Sequence, residues 1–377
     1  MALQFTRNAN VYVQLVDGSG THVQAWKLSV LDGFSFTQSI NSSEITINEA
    51  GSISRRARLL FNDSLAPVEW SMSTYARPIT DTNITHCPEE PLWAMMLGAD
   101  GYATNQYTSS VLAGASPAPA TENINTPANG TNTFDFSASN VSSFSDRWNI
   151  YFGFEDTGNI QFYKLDSAVV NSVTMDFDID GIATLSWSGF AKSLSDEGTS
   201  VPTDLASPIT IGLTDTTNFI RNRISTVSLT RTDVSPDDVY NIVLTGGSFT
   251  IENNVSYLTP EELGIVNAPL ANITGARSIS GSMTCYLDND QLNSKSGELF
   301  ADLVADVDTV RNVFTLSLNV GGETASTPRV AFELPTAHLE VPTINVEDLL
   351  TLEINFHGQV SGGNVDLTDE ATIVYKS

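Results

Sequence analysis

The sequence runs to 377 residues, with 44 acidic against 17 basic side chains and a formal net charge of -27. That length exceeds a typical single core and suits two. Hydrophobic residues make up 41%, which fits a globular chain and not a disordered one. So acidic a surface repels phosphate backbones, which argues against sequence-specific DNA or RNA binding, because that affinity comes largely from Lys and Arg.

Two readings of the charge stay open: solubility of a large surface, or a surface that passes DNA without gripping it. No apolar run reaches the roughly eighteen residues that span a bilayer, so no membrane anchor is expected. The opening Met1-Ala2-Leu3-Gln4 lacks the basic and apolar parts of a signal peptide, so synthesis in the cytoplasm is expected. Cys87 and Cys285 are too far apart in sequence for a metal knuckle or a disulfide framework, and each is expected to be reduced and structural.

Strand signals dominate in chain order. Val11–Val16 is short and β-rich, and Trp26–Leu31, Val173–Ile179 and Leu350–Phe356 alternate apolar and polar, as half-buried strands do. Two helices are expected. The first is Glu89–Leu97, with Pro91 early, Leu92, Trp93 and Met96 on one side and Gly98 after its end. The second is Lys295–Val307, with an apolar stripe of Leu299, Phe300, Leu303 and Val304. Residues 102–143 are rich in Ala, Ser, Thr, Asn and Pro and read as a long loop or insertion without a core of its own. Residues 193–207 read as a linker.

The halves match collinearly. Val30-Leu31-Asp32-Gly33-Phe34-Ser35-Phe36-Thr37 resembles Val243-Leu244-Thr245-Gly246-Gly247-Ser248-Phe249-Thr250, with Asn41 and Asn254 at one offset. Ser71–Tyr75 resembles Ser282–Tyr286, Leu92-Trp93-Ala94 resembles Leu299-Phe300-Ala301, and Ala183-Thr184-Leu185 with Phe190 resembles Leu350-Thr351-Leu352 with Phe356. One interval is longer in the first copy, by about the length of the low-complexity stretch, so a single insertion explains both facts. The expected division is a first domain over 1–192 with an insertion at about 102–143, a linker over 193–215 and a second domain over 216–377.

Chemistry-bearing motifs are sparse. Asp176-Phe177-Asp178-Ile179-Asp180-Gly181 matches the first half of a calcium loop, but Trp187 stands where the bidentate Glu belongs. An acidic strand face carrying all three carboxylates is the better reading. His22, His86, His338 and His357 show no metal spacing and are expected at the surface or at interfaces. No nucleophile elbow or phosphate loop occurs. No catalytic, metal-binding or cofactor-binding residue is assigned, and an enzyme is not expected. The basic cluster Arg55-Arg56-Ala57-Arg58 suits pairing with a neighbour's carboxylates, with a solvated loop as the alternative. Arg55, Arg56, Arg58, Glu44, Asp176 and Asp178 are therefore the candidate assembly residues.

Phe34-Ser35-Phe36-Thr37-Gln38, Asn41, Glu44-Ile45 and Pro67–Pro78 resemble the tail tube proteins of long-tailed bacteriophages, as do Gly247–Asn254, Gly281–Leu287 and Leu334–Gln359. The resemblance implies a mainly β fold of two tandem sandwich or barrel-like domains, each with about one flanking helix. It implies sheets joined between subunits into an inner barrel, hexameric rings stacked into a tube, and an early hairpin, here Asn41–Glu69, reaching a neighbouring ring. It places the chain in the virion tail, partnered by itself, by tail proteins at the tube ends and by any sheath, with DNA sliding through an acidic lumen at genome ejection. Two domains per chain reduce the expected ring to a trimer, a pseudo-hexamer. Another self-assembling virion or surface β-protein, of decoration or adhesin type, is the alternative, and a carbohydrate-binding protein or glycosidase the more distant one.

Overall fold

The computed structural model describes residues 9–17, 19–45, 59–81, 84–97, 125–128, 130–136, 146–156, 159–210, 218–263, 265–288, 295–305, 313–322, 327–346, 349–361 and 369–377. The fold is mainly β, and the α-helices among these residues are Glu90–Met96 and Ser296–Ala305, both where helical spacing placed them. No described helix is long and apolar enough to cross a membrane.

Strand order repeats along the chain. A six-stranded sheet runs Ser193–Gly198, Asn159–Asp166, Trp148–Asp156, Ala9–Val16, His22–Leu28 and Ile209–Thr210. The second half sets out the same succession in Thr372–Lys376, Arg329–Leu339, Phe314–Val320, Thr226–Arg231 and Asp238–Ile242. A central sheet then runs Ser35–Ile45, Leu59–Tyr75, Thr184–Ala191, Val169–Asp178, Leu244–Glu252, Ser278–Tyr286 and Leu350–Gln359, and ends on Arg329–Leu339 and Thr343–Val346. Its first four strands and the strands from Leu244 onward follow one order.

The long strand Arg329–Leu339 belongs to both layers. It pairs Phe314–Val320 through Val330–Leu334 and, past a register shift, at Ala337, and it pairs Leu350–Gln359 through Thr336–Leu339. The first half breaks the same path at Ser167, whose φ of 52° turns Asn159–Asp166 into Val169–Asp178.

Alternation decides what is buried. Val68, Trp70, Met72, Val173, Met175, Leu185 and Trp187 point from the central sheet into the core, as do Phe249, Ile251, Met283, Leu352, Ile354 and Phe356. There they join Val11, Val13, Leu15, Trp26, Ile150, Leu316, Leu318 and Phe332 from the outer strands in one continuous cluster. The first helix is buried all round, not on one side as expected. The second buries Leu299 and Leu303 and leaves Val304 exposed.

Three further expectations are corrected. The strand expected over Trp26–Leu31 ends at Leu28, with Val30 making a lone bridge to Thr74. The segment expected as a linker carries strand Ser193–Gly198 on Asn159–Asp166 and a short strand, Ile209–Thr210, running parallel to Trp26–Lys27. Part of the low-complexity stretch forms a hairpin, Asn125–Ala128 and Thr131–Asp135, whose second strand pairs with Thr372–Lys376. Phe134 and Phe136 are fully buried, because a borrowed partner strand gives an apolar-poor segment the core it cannot build alone.

The repeat holds at the level of register. Ser35 faces Ser71 and Ser248 faces Ser282, each with paired hydroxyls, at 2.9 and 3.3 Å. Leu185 lies opposite Thr74 and Leu352 opposite Cys285. This register corrects one match: Phe356 occupies the place of Gly189, not of Phe190. The ring and the glycine have changed sides. Trp70 lies over Gly189 in one half, while Phe356 lies over Gly281 in the other. In each case an aromatic ring covers the gap that a strand glycine leaves.

A buried polar junction ties the halves together. Glu89 and Glu90 at the first helix are fully buried beside His86 and Cys87, so His86 is a core side chain and not the surface or interface one expected. The Tyr375 hydroxyl donates to Glu89 Oε1 at 2.6 Å and accepts from the Trp93 indole at 2.9 Å; His86 Nδ1 lies 3.0 Å from Glu90 Oε2. Burial pushes the Glu89 carboxyl up to about 8, against the pull of its hydrogen bonds and of Arg77.

Two outcomes are expected. A Cβ at Gly189 would meet the Trp70 ring at 2.6 Å and the Val169 carbonyl, so Gly189→Ala should lower unfolding free energy by about 1–3 kcal/mol in denaturant titration; unchanged stability would refute the packing. Because Glu89 holds its proton more tightly when folded, its contribution is whole below 4.5 and is lost as pH rises to about 8. Glu89→Gln should flatten that fall in melting temperature between pH 5 and 8.5; an unchanged slope would refute the assignment.

Candidate functional site

The candidate functional surface is the open face of the central sheet. Side chains opposite the buried set line up across as many as seven strands. One row runs Ser73, Ser186, Thr174, Thr250, Ser280, His357 and His338, each facing the next in register. A second runs Tyr75, Thr184, Asp176, Ser248, Ser282 and Asn355.

Hydroxyls on this face satisfy each other across strands. Ser172 and Ser188 approach to 2.7 Å, Thr174 and Thr250 to 3.1 Å, and Ser73 and Ser186 to 3.3 Å. Such cross-strand pairs fix register while keeping the face polar and low in relief. Carboxylates are scattered among them: Glu69, Asp176, Asp178, Glu252 and Glu353. Among the central-sheet strands the one Lys or Arg is Arg329, at the end of Arg329–Leu339 that pairs with the outer strand Thr372–Lys376 and not with Leu350–Gln359.

The sequence candidates fall as follows. Asp176 and Asp178 are exposed on this face, opposite Ser248 and Gly246 of the second half. The strand ends at Asp178, so Asp180 leaves the face, and its carboxylate lies 3.9 Å from Arg223 in an exposed turn. Glu44 is exposed near the end of Ser35–Ile45, opposite Leu60. Arg55, Arg56 and Arg58 lie outside the described residues, as does the tip of the Asn41–Glu69 hairpin. Cys87 and Cys285 are free and buried.

Sequence reasoning missed the pair His338 and His357. Their rings lie 6.2 Å apart at the edge of the face, and Glu340 Oε1 sits 3.2 Å from His357 Nε2. Hydrogen bonds from Asn355 and then His357 hold the Glu340 carboxyl below the usual range. Alternation over His338–Glu340 and Asn355–His357 was the available signal, but only the register brings the two segments together.

The two strand sets meet along one ladder, Val169–Asp178 against Leu244–Glu252, which runs without a register shift from Ser172–Glu252 to Asp178–Gly246. It makes a single polar face from strands on either side of it.

Comparison with known proteins gives two matches. A family model described as phage tail tube protein covers residues 78–358, which takes in strands of both halves. Tail tube protein pb6 of Escherichia phage T5 is 31% identical over 388 aligned positions, covering 100% of this chain and 76% of that protein.

Proposed function

The chain belongs to the phage tail tube proteins, and from that premise we propose that three copies close their central sheets into one ring, with the hydroxyl face lining the bore. Its role in the virion tail is structural. The two halves serve as two modules, the first running through strand Ile209–Thr210, and the ring is a pseudo-hexamer of modules. Rings stack into a tube that meets other tail proteins at its ends and any sheath around it. We assign the chain no catalytic step.

The observation that carries this reading is the repeated strand order, joined at an internal ladder. Size supports the count. With strands about 4.8 Å apart and tilted by about 40°, two such chains close at a backbone diameter of about 32 Å and three at about 48 Å. Side chains reach about 5 Å inward from each wall, which leaves a bore of about 22 Å or about 38 Å. Only the wider bore gives a DNA duplex room for its hydration and counterions.

Chemistry supports the lining. Affinity for DNA comes from Lys and Arg that displace phosphate counterions, and the side-chain rows of the open face contain neither. Scattered carboxylates add repulsion, and paired hydroxyls offer few groups free to grip a phosphate. The lining is thus hydroxyl-rich with acidic points, a milder surface than the total charge of -27 suggests.

Native mass measurement on isolated rings should give three chains, and six would overturn the count. Tubes of the unaltered chain should retain no duplex DNA at low salt. Tubes carrying Thr174→Lys and Thr250→Lys should retain it, with affinity falling as salt rises. Tight DNA retention by unaltered tubes would contradict the lining.

A further inference from the structure

We infer that one ladder register joins successive chains: Thr343, Ile344 and Asn345 of one copy pair antiparallel with Thr37, Phe36 and Ser35 of the next. This rests on the ring reading above and specifies its contact residue by residue.

The central sheet ends in two edges with no partner strand among the described residues, Ser35–Ile45 and Thr343–Val346. Both have an internal counterpart that is paired. Thr174, Met175 and Asp176 lie opposite Ser186, Leu185 and Thr184. Thr343, Ile344 and Asn345 lie opposite Glu353, Leu352 and Thr351, the counterparts of those three. On the other edge, Ser35, Phe36 and Thr37 hold the places of Ser248, Phe249 and Thr250, as the facing pairs Ser35–Ser71 and Ser248–Ser282 fix. The internal ladder pairs Thr174 with Thr250, Met175 with Phe249 and Asp176 with Ser248. Carrying each residue to its counterpart gives the register above with no free choice.

The chemistry is kept at each rung. The hydroxyl pair Thr174–Thr250 becomes Thr343–Thr37, the apolar pair Met175–Phe249 becomes Ile344–Phe36, and Asp176–Ser248 becomes Asn345–Ser35. Exposure agrees. Met175 and Phe177 are 1% and 3% exposed inside their ladder, while Ile344 and Val346 stand 39% and 76% exposed on the open edge. An uncharged, apolar-bearing edge is a template for strand addition.

A second exchange fits the same geometry. Beside the internal ladder, Val255 and Tyr257 cover Val169 and Phe190. The counterparts of Val169 and Phe190 are His338 and His357, which pair in the same way. Counting from Asn254 and Asn41, the counterparts of Val255 and Tyr257 are Ser42 and Glu44. An apolar contact within the chain thus becomes a polar one between chains, with Glu44 of one copy brought to the two histidines of the next.

Directly opposed residues of antiparallel strands lie within disulfide reach, and Cys87 and Cys285 are buried, so added cysteines report alone. Rings carrying Thr37→Cys with Thr343→Cys should oxidise to covalent dimers and trimers on a non-reducing gel. Thr37→Cys with Asn345→Cys keeps the face but slips the register by two, and should cross-link roughly tenfold less. Rings in which the slipped pair links as well, or in which neither links, would overturn the register and leave the ring itself standing. As a second measure, Ile344→Lys should abolish rings while the single chain keeps its melting temperature. Rings at unchanged yield would overturn the inference. An unaltered chain that forms no rings would refute the ring reading, and the register with it.

Discussion

Backbone pairing between Val169–Asp178 and Leu244–Glu252 is the contact on which the rest of the molecule depends. It turns two sets of strands into one sheet with one buried face and one polar face. A slip of one residue would turn Met175, Phe177, Phe249 and Ile251 to the open side, so burial of these four fixes the register. The hydroxyl rows across the face follow from it: Thr174 meets Thr250, and the rows to either side fall into line. Placement of Asp176 and Asp178 follows too, since both sit on a ladder rung and not in a metal loop.

The treatment of edges separates the central sheet from the outer strands. Ser193–Gly198 carries Asp196 and Glu197, Asp238–Ile242 opens on an acid, and Ile209–Thr210 is two residues long. Charge and brevity are the ordinary means of blocking strand addition. Ser35–Gln38 and Thr343–Val346 have neither, and they are the two ends of the polar face. The tie across the core adds rigidity. A hairpin from the first half pairs with the C-terminal strand, and Tyr375 on that strand reaches the buried Glu89 of the first helix. A neutral carboxylic acid at that junction costs less desolvation than an ion would.

Much of this was legible in the sequence because it was local. Period-two alternation found Val173–Ile179 and Leu350–Phe356, and helical spacing found both helices within a residue or two. The ungapped match of Val30–Thr37 to Val243–Thr250 foretold a register that the structure repeats. What stayed hidden depends on partners far away in the chain. Trp70 over Gly189 and Phe356 over Gly281 exchange strands, so aligning Phe190 with Phe356 by residue type failed by one position. The hairpin at Asn125–Asp135 has too little apolar content to announce itself and exists because Thr372–Lys376 receives it. His338 and His357 looked like scattered side chains until the ladder set them face to face. The resemblance of Phe34–Pro78 to tail tube proteins was carried by strand patterns; the family model begins at residue 78, and it is the full-length alignment to a tail tube protein that covers this stretch.

Amide hydrogen exchange before and after assembly tests most directly whether the internal ladder is the template for the contact between chains. In the single chain, amides in Ser172–Asp178 and Gly246–Glu252 should be protected, while the outward-pointing amides of Ser35–Thr37 and Thr343–Val346, those not bonded to Leu59–Tyr75 or Leu350–Gln359, exchange quickly. On ring formation the two open edges should rise to the protection of the internal ladder, which stays unchanged. Rings in which those edges remain fast, or in which the internal ladder loses protection as chains associate, would contradict it.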